Sequence, residues 1–512
     1  MSLAPLWRLL AATLTAFSLA MGAAASAHAD EFPGGVRDTL GPSFEGARDG
    51  VRRIPRTRPD GRLDVVRRWN RIAIDASGLD HTPVAVGESR VFGEQIGPGR
   101  ASRALAIVQI AVFDAVNAIH GGYQSYTGLS RAPRDTSLDA AVAQAAHDTL
   151  SALFPSQRAS FDEALADEFA FMRVRDTRVL RGIALGRRAA LAILELRAED
   201  GSQHAEPHMG EDFLPNEAPG WWRQDPISLS PLALGARWAE VDPFVLRSSH
   251  QFRAPPPPEL SSDAYTAAYA EVQELGGDGI TTPTVRSADQ TQIGVYWAYD
   301  GTPSLCAPPR LYNQIAVLIA DQRRSGPVEL ARLFALLNTA MADAGIAIWE
   351  SKYHYQLWRP VTGIRESDAG TGPSGAGDGN PDTIGDPSFS PLGAPASNLA
   401  GPNFTPPFPA YPSGHAGFGG ALFQILREFY GTDRIAFTFV SDEFNGSTLA
   451  NDGTTRPLLP RSFRSLSQAE EENGQSRIYL GIHWSFDKTE GIAQGRRVAR
   501  YVFRHAFEPT RR

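Results

Sequence analysis

Three short segments in the second half of the chain combine cationic, hydroxyl and imidazole side chains. In chain order, the residues concerned are Lys352 and Arg359, then Ser413, Gly414 and His415, and finally Arg477 and His483. Lysine and arginine side chains pair with the oxygen atoms of anions. A histidine changes its charge near neutral pH, so it can transfer a proton or act as a neutral ligand. These residue types indicate an anion site that also holds groups able to do chemistry.

The first segment lies near the end of an apolar helix, which the sequence predicts from Pro327 towards Trp358. An α-helix turns about 100° per residue, so Lys352 and Arg359 are expected about 20° apart on one face. Trp349 falls about 60° from Lys352, on the same side. Two cations beside an aromatic ring suit a buried anion, although such a pair alone is more often part of a solvated basic face.

The second segment places Ser413 at the beginning of a predicted helix with an apolar face. The free backbone N–H groups and the helix dipole favour an oxyanion at that position. Gly414 lets the backbone approach such a ligand closely, and His415 can donate or accept a proton. The alternative interpretation is an ordinary N-cap serine followed by a surface histidine.

The third segment adds another fixed cation and a second imidazole. Arg477 and His483 are six residues apart, about 240° around an ideal helix, so they do not share a face. Either a turn intervenes, for which Gly481 is the candidate, or the two side chains reach the site from different directions. Asp487 follows His483 by four residues, which in a helix is close enough to orient its ring. The alternative is a surface helix with an ordinary mixture of charges.

Together the three segments supply one lysine, two arginines, a hydroxyl, backbone N–H groups and two imidazoles. This set predicts a site for a tetrahedral oxyanion such as phosphate or vanadate. No cluster of carboxylates typical of a magnesium site is evident in the sequence.

Helical periodicity predicts most of the elements that must position these residues. Helices are expected over residues 101–119, 138–154, much of 160–197, 262–275, 310–323, 327 to about 358, 413–430 and 491–507. Residues 30–100 and 201–260 are expected to be irregular, and residues 366–411 to form one long loop. Strand patterns are few, so we predict an all-α fold.

The beginning of the chain has the pattern of a secretory signal peptide. Leu9 to Ala25 is almost wholly apolar or small, and Ala27-His28-Ala29 resembles a cleavage site. We therefore expect a signal peptide over residues 1–29 and a mature protein that is secreted or periplasmic. An uncleaved membrane anchor is the alternative. No later segment is expected to cross a membrane.

Composition excludes other classes of protein. The formal net charge is −8 over 512 residues, so no basic surface for nucleic acid is indicated. Cys306 is the only cysteine, which makes an intramolecular disulfide impossible and favours a buried structural thiol. The oligomeric state stays open.

The three segments resemble the signature that vanadium haloperoxidases share with acid phosphatases of the phosphatidic-acid-phosphatase type. Neighbouring residues favour the haloperoxidases, because Trp349 and the run from Phe408 to Tyr411 resemble vanadium chloroperoxidases. Tyr296 to Asp300 is similar to a stretch that carries a structural aspartate in that family. Sixty residues separate His415 from Ser476, more than is usual in the compact phosphatases. This spacing predicts an inserted loop within residues 441–465.

The resemblance implies two helical bundles, with an N-terminal helical region over residues 30–258 and a C-terminal one over 259–512. It also implies orthovanadate as the cofactor, with His483 as its only covalent protein ligand. The side chains or N–H groups implied to hold the vanadate oxygens belong to Lys352, Arg359, Ser413, Gly414 and Arg477. His415 would then be the acid–base group, and Asp300 would pair with Arg477. Trp349 and Phe408 would form the apolar side of a halide pocket.

A haloperoxidase of this family would use hydrogen peroxide to oxidise a halide to hypohalous acid, which then halogenates or oxidises a small organic acceptor. The principal alternative is a secreted acid phosphatase that works through a phosphohistidine at His483, with His415 protonating the leaving group. A phosphate-binding protein without catalytic activity is a third possibility. The preferred halide and the organic acceptor stay open.

Overall fold

A computed structural model describes residues 35–44, 46–47, 64–173 and 175–510. The predicted signal peptide and its cleavage site lie outside the described residues. The elements in chain order are α1 (Val36–Leu40), α2 (Val65–Asp80), α3 (Gly97–His120), α4 (Leu138–Leu153), α5 (Arg158–Ala170), α6 (Thr177–Leu196), α7 (Asp263–Leu275), α8 (Ala288–Tyr296), α9 (Pro308–Gln322), α10 (Pro327–Tyr355), α11 (Pro360–Arg365), α12 (Gly414–Tyr430), β1 (Phe437–Asn445), β2 (Leu458–Phe463), α13 (Leu466–Tyr479) and α14 (Ser485–His505). The prediction of a mainly helical fold is confirmed.

The sequence prediction of the helices is wrong near both ends of the described chain. Residues 30–100 were expected to be irregular, but α2 forms there, with Asp64 as an N-cap that accepts hydrogen bonds from two backbone N–H groups. The last helix begins at Ser485 rather than Gly491, because the Asp487 side chain accepts the backbone N–H of Trp484 and completes the first turn. The segment 441–465, where we predicted an inserted loop, contains most of an antiparallel hairpin of β1 and β2.

Long apolar helices pack side by side to form one continuous core. In the C-terminal half α12 lies along α14, and in the N-terminal half α4 lies along α6. Helix α10 contacts α3, α12 and α14, so it joins the two halves. The boundary predicted near Pro258 stays a prediction.

No segment beyond residue 29 was expected to cross a membrane, yet two of the described helices are long and apolar enough to do so by length and composition alone. Gly97–His120 and Pro327–Tyr355 both meet that criterion by length and composition. In both helices the apolar stretch is completely buried inside the protein. Core helices pass the same test, and here their apolar surface is covered by neighbouring helices.

Cys306 is buried and free, as predicted. Its Sγ atom lies 3.0 Å from the Ser77 hydroxyl, in a part of the core next to His81. Burial raises the pKa of the thiol to about 11, so it stays protonated at neutral pH. The residue therefore behaves as a structural thiol.

Candidate oxyanion site

The structure brings Lys352 and Arg359 together, but not on one helix face. Helix α10 ends at Tyr355, and the following residue, Gln356, adopts a left-handed conformation with φ of 47°. Arg359 is the N-cap residue of α11, so the prediction of a continuous helix through both cations is wrong. The sharp turn between the helices directs both side chains into the same buried region. Arg359 Nη1 lies 2.9 Å from His483 Nε2.

Lys352 is completely buried in the last turn of α10. Its ammonium group donates hydrogen bonds to the carbonyl oxygens of Pro409 and Ala410, at 2.7 and 2.9 Å. It also lies 5.1 Å from the ring centroid of Phe408, within the range of a cation–π contact. Burial, reinforced by the charge of Arg359, holds the pKa of Lys352 well below its ordinary value. A bound anion would reverse part of that shift.

Ser413 is the N-cap of α12, as predicted, and its hydroxyl accepts the backbone N–H of Ala416 at 3.4 Å. The hydroxyl hydrogen stays available for a ligand. Gly414 follows at the first helical position, where a Cβ atom would lie 3.3 Å from the Trp349 ring. The absence of a side chain therefore lets the helix begin directly against Trp349. The first N–H groups of α12 have no carbonyl partner within their own helix.

His483 reaches the site after a turn, which confirms one of the two predicted routes. Helix α13 ends at Tyr479, and Gly481 has φ of 71°, a conformation that favours glycine. His483 Nδ1 donates to Asp487 Oδ2 at 2.8 Å. This bond fixes the tautomer and leaves the Nε2 lone pair facing Arg359. Burial and the charge of Arg359 hold the pKa of His483 well below its ordinary value, so the ring is neutral at pH 7.

Arg477 is completely buried and makes an ion pair with Asp300, at 2.7 Å from Nη2 to Oδ1. Its Nε and Nη1 atoms have no hydrogen-bond partner among the described residues. Buried N–H groups of a guanidinium are almost always paired, so these two are available for an anion in the adjacent cavity. The predicted contact between Arg477 and Asp300 is present.

His415 is held from both ends. Its Nε2 atom donates to the carbonyl oxygen of Ala298, and its own carbonyl oxygen accepts from Tyr312 and Asn473, at 2.8 and 3.0 Å. Because a carbonyl oxygen can only accept, Nε2 carries a hydrogen and Nδ1 is the atom left for proton transfer. Burial and the charge of Arg477 hold the pKa of His415 well below its ordinary value. The neutral ring is a proton acceptor at pH 7.

Trp349 and Phe408 form an aromatic wall beside the cations. Their ring centroids are 4.9 Å apart, and the ring planes are inclined by 60°. The Trp349 indole N–H donates to the carbonyl oxygen of Leu234 at 3.0 Å, which ties α10 to a loop of the N-terminal half. Both rings line the adjoining cavity, and their role in a halide pocket stays a prediction.

Sequence reasoning missed the residues that support the segment carrying Asp300. Ser441 Oγ donates to the carbonyl oxygen of Tyr296 at 2.7 Å, and the Glu443 carboxylate accepts the N–H of Tyr299 at 3.3 Å. Glu443 is completely buried and forms an ion pair with Arg456. Strand β1 therefore supports the Ala298 carbonyl and Asp300 from behind. Their separation of more than 140 residues from that segment left no local signal in the sequence.

One small, mainly apolar cavity adjoins these groups. Its wall includes five residues of the site, which are Asp300, Gly414, His415, Arg477 and His483. Trp349 and Phe408 also line it. Arg477, with its two available N–H groups, and the N-terminus of α12 line the cavity. Lys352, Arg359 and Ser413 are not among its described lining residues, although both cations contact Phe408 of its wall. The residues present fit a tetrahedral oxyanion such as vanadate.

Comparisons with known proteins identify relatives of the part of the chain that carries most of these residues. The family model for the second helical-bundle domain of vanadium chloroperoxidase matches residues 332–511. A vanadium chloroperoxidase from Curvularia inaequalis is 40% identical over 281 residues, which cover 48% of this chain. The match spans 44% of that protein, less than half of its length.

Two solved structures extend the likeness over most of the chain. The crystal structure of a bacterial vanadium-dependent iodoperoxidase is 25% identical, with a TM-score of 0.67, and the match covers 88% of this chain and 99% of that one. An apo-type bacterial vanadium-dependent chloroperoxidase shares the fold, at 18% identity and a TM-score of 0.59 over 81% of this chain and 96% of that one. Residues 332–511 therefore resemble the second helical-bundle domain of vanadium chloroperoxidase in sequence, and most of the chain shares its fold with bacterial vanadium-dependent haloperoxidases.

Proposed function

We propose that this protein is a vanadate-dependent haloperoxidase that oxidises a halide with hydrogen peroxide. The observation that carries the proposal is the pair of buried N–H groups of Arg477 without a partner among the described residues, beside His483 and the Trp349–Phe408 wall. The likeness to vanadium haloperoxidases supports the choice of vanadate. The reaction consumes one proton, since halide, hydrogen peroxide and a proton give hypohalous acid and water.

The residues of the site would bind orthovanadate through several kinds of group. Arg359, Arg477 and Lys352 would hold the negative oxygen atoms of orthovanadate, together with the Ser413 hydroxyl and the first N–H groups of α12. His483 Nε2 would be the protein ligand, since Asp487 fixes the hydrogen on Nδ1. When bound, vanadate supplies a Lewis acid that activates hydrogen peroxide towards a halide.

His415 would move the proton. In the neutral ring, Nδ1 can accept a proton from hydrogen peroxide and later return it to the oxygen atom that leaves as water. The Ala298 carbonyl keeps the ring in this orientation. Trp349 and Phe408 would exclude water from the side where the halide approaches, which strengthens its attraction to the nearby cations.

The test is a side-by-side assay of two activities. The protein is dialysed against phosphate and a chelator and then assayed for bromide oxidation by hydrogen peroxide, with and without added orthovanadate. We expect activity only after vanadate is added, and little hydrolysis of a phosphate ester without vanadate. Bromide oxidation that does not respond to vanadate, or ester hydrolysis as the main activity, would contradict the proposal.

We also propose that the protein is exported, on the strength of its apolar N-terminal segment and the Ala27-His28-Ala29 pattern. N-terminal sequencing of protein recovered outside the cytoplasm should begin at Asp30. Recovery of the intact chain in the membrane fraction would favour the anchor instead.

A further inference from the structure

A short segment near the beginning of the described chain forms part of the cavity wall. Residues 35–44, which we name the wall segment, contain α1 and the turn after it. Thr39 and Leu40 of this segment line the same cavity as Arg477 and His483. Both are almost completely buried, at 4% and 5% exposed. Nothing in the three-part signature includes these residues.

The wall segment is seated firmly on the rest of the protein. The Ser230 hydroxyl donates to the carbonyl oxygen of Thr39 at 2.6 Å. At Gly41, where φ is 123°, an added Cβ atom would lie 1.9 Å from the carbonyl oxygen of Ser228. Only glycine fits this contact, so the backbone of the wall segment is held directly against residues 228–230.

Apolar contacts fix the other side of the wall segment. Val36, Leu40 and Phe44 belong to a cluster that also contains Phe404, and the rings of Phe44 and Phe404 meet edge to face at 5.8 Å. Phe404 lines the cavity together with Leu40. The wall segment therefore packs against the loop that leads to Phe408.

The cavity has a volume of about 50 Å³. A cavity of roughly 10–15 Å³ by this kind of measure holds one water molecule, and an apolar cavity of about 150 Å³ can hold benzene. A small molecule such as hydrogen peroxide therefore fits this space more readily than an aromatic ring does. Leu40 presents the bulky aliphatic side chain of the wall segment to this limited volume.

We propose that Leu40, assisted by Thr39, is a specificity-determining residue that limits the size of molecules reaching Arg477 and His483. The size limit applies to two kinds of molecule. For hydroperoxides it rests on the proposed haloperoxidase function, in which an organic hydroperoxide would transfer one oxygen atom to the halide and leave as the alcohol, so its organic group must fit beside Leu40. For phosphate and its esters, which bind without vanadate, the size limit rests only on the oxyanion site.

The experiment compares Leu40→Ala with Val36→Ala, its matched control. Val36 packs in the same apolar cluster, but it is not among the described residues that line the cavity. Calorimetry on vanadate-free protein measures the Kd of inorganic phosphate and of phenyl phosphate. With vanadate added, kcat/KM is measured for hydrogen peroxide and for cumene hydroperoxide, with bromide as the halide.

For each pair we form the ratio of the value for the bulky molecule to that for the small one, using affinity for the phosphates and kcat/KM for the hydroperoxides. We expect Leu40→Ala to raise both ratios by about tenfold, because the removal of a few methylene or methyl groups from a pocket changes discrimination to that extent. Val36→Ala should leave both ratios as in the parent protein. If Leu40→Ala does not fold, Thr39→Ala decides, because the Ser230 bond to the backbone carbonyl is retained. It should shift both ratios in the same direction by a smaller factor.

Unchanged ratios in the folded variant, or equal changes in both variants, would overturn the proposal. A shift in the phosphate pair, without vanadate-dependent bromide oxidation in any protein, would support the size limit and refute the haloperoxidase function. The two failures are therefore distinguishable.

Discussion

Two regions of the molecule bury arginine side chains, but they differ in how far nearby carboxylates compensate the buried charge. Arg310 in α9 donates to Asp75 at 2.9 Å and to Asp442 at 3.2 Å. Burial alone would lower the pKa of Arg310, but the two carboxylates together raise it. In the oxyanion site, burial lowers the pKa of Arg359 to about 9, and the nearby Asp487 offsets only part of that effect. Arg310 therefore has carboxylate partners that compensate its buried charge, whereas Arg359 is compensated only in part.

The difference separates a structural ion pair from a binding site. A buried charge without a full set of partners costs free energy in the folded state. At Arg310 the protein itself provides the compensation. Around Arg359 and Arg477 the described residues provide less, so an anionic ligand would complete the arrangement. The site is therefore prepared for an anion before the anion arrives.

The largest effect should come from His483→Ala. Removal of the imidazole takes away the only predicted covalent ligand of vanadate, so we expect vanadate-dependent bromide oxidation to fall by at least about 10³-fold. The free energy of unfolding should fall by about 1–3 kcal/mol, because the buried Asp487 carboxylate loses the hydrogen bond from His483. Full activity in this variant, with vanadate bound as tightly as in the parent, would show that His483 is not the ligand.

A pair of stability measurements tests the comparison directly. Arg310→Met removes one partner from a buried ion cluster and should lower the free energy of unfolding by about 3–5 kcal/mol. Lys352→Met in the anion-free protein should cost less, about 2 kcal/mol or below, because it loses hydrogen bonds to two carbonyl groups but leaves no carboxylate in direct contact without its cation. Urea unfolding of both variants gives the values. Equal losses would contradict the distinction between the two groups.

Asp300→Asn should have an intermediate effect. The substitution keeps the shape of the side chain but removes the charge that orients Arg477 through Nη2. Residues that position a ligand-binding group typically change affinity by about 10–100-fold, so we expect the Kd for vanadate to rise by that factor. Asp321→Asn, which removes a carboxylate charge paired with Arg67 and does not line the cavity, is the matched control. A similar loss in both variants would indicate a general structural effect.

The residue types of the oxyanion site could be predicted from the sequence, but its geometry could be predicted only in part. Ser413, Gly481 and Asp487 act through local structure, so their roles follow from helix ends and four-residue spacing. The left-handed turn at Gln356 was not predictable from periodicity, which led to the wrong helix face for Arg359. Leu40 and Glu443 reach the site from distant segments, and a single sequence carries no signal for such contacts.

The smallest effect, and the sharpest test of the charge imbalance, concerns pH. Burial lowers the pKa of Lys352 in the anion-free protein, and a bound anion should raise it again. Anion binding should then take up a proton, and affinity should fall as pH rises above the lowered pKa of the free protein, by at most about tenfold per pH unit. Sulfate is the suitable probe, because its charge stays constant over this range.

Calorimetry in buffers with different ionisation enthalpies measures the proton uptake on sulfate binding. Lys352→Met is the matched control, since it removes the titrating group and keeps a side chain of similar length. The parent protein should take up protons and lose affinity as the pH rises, whereas the variant should bind more weakly with a shallower pH dependence. A slope that persists unchanged in Lys352→Met would assign the titration to other groups, with Arg359 and its pKa of about 9 as the next candidate.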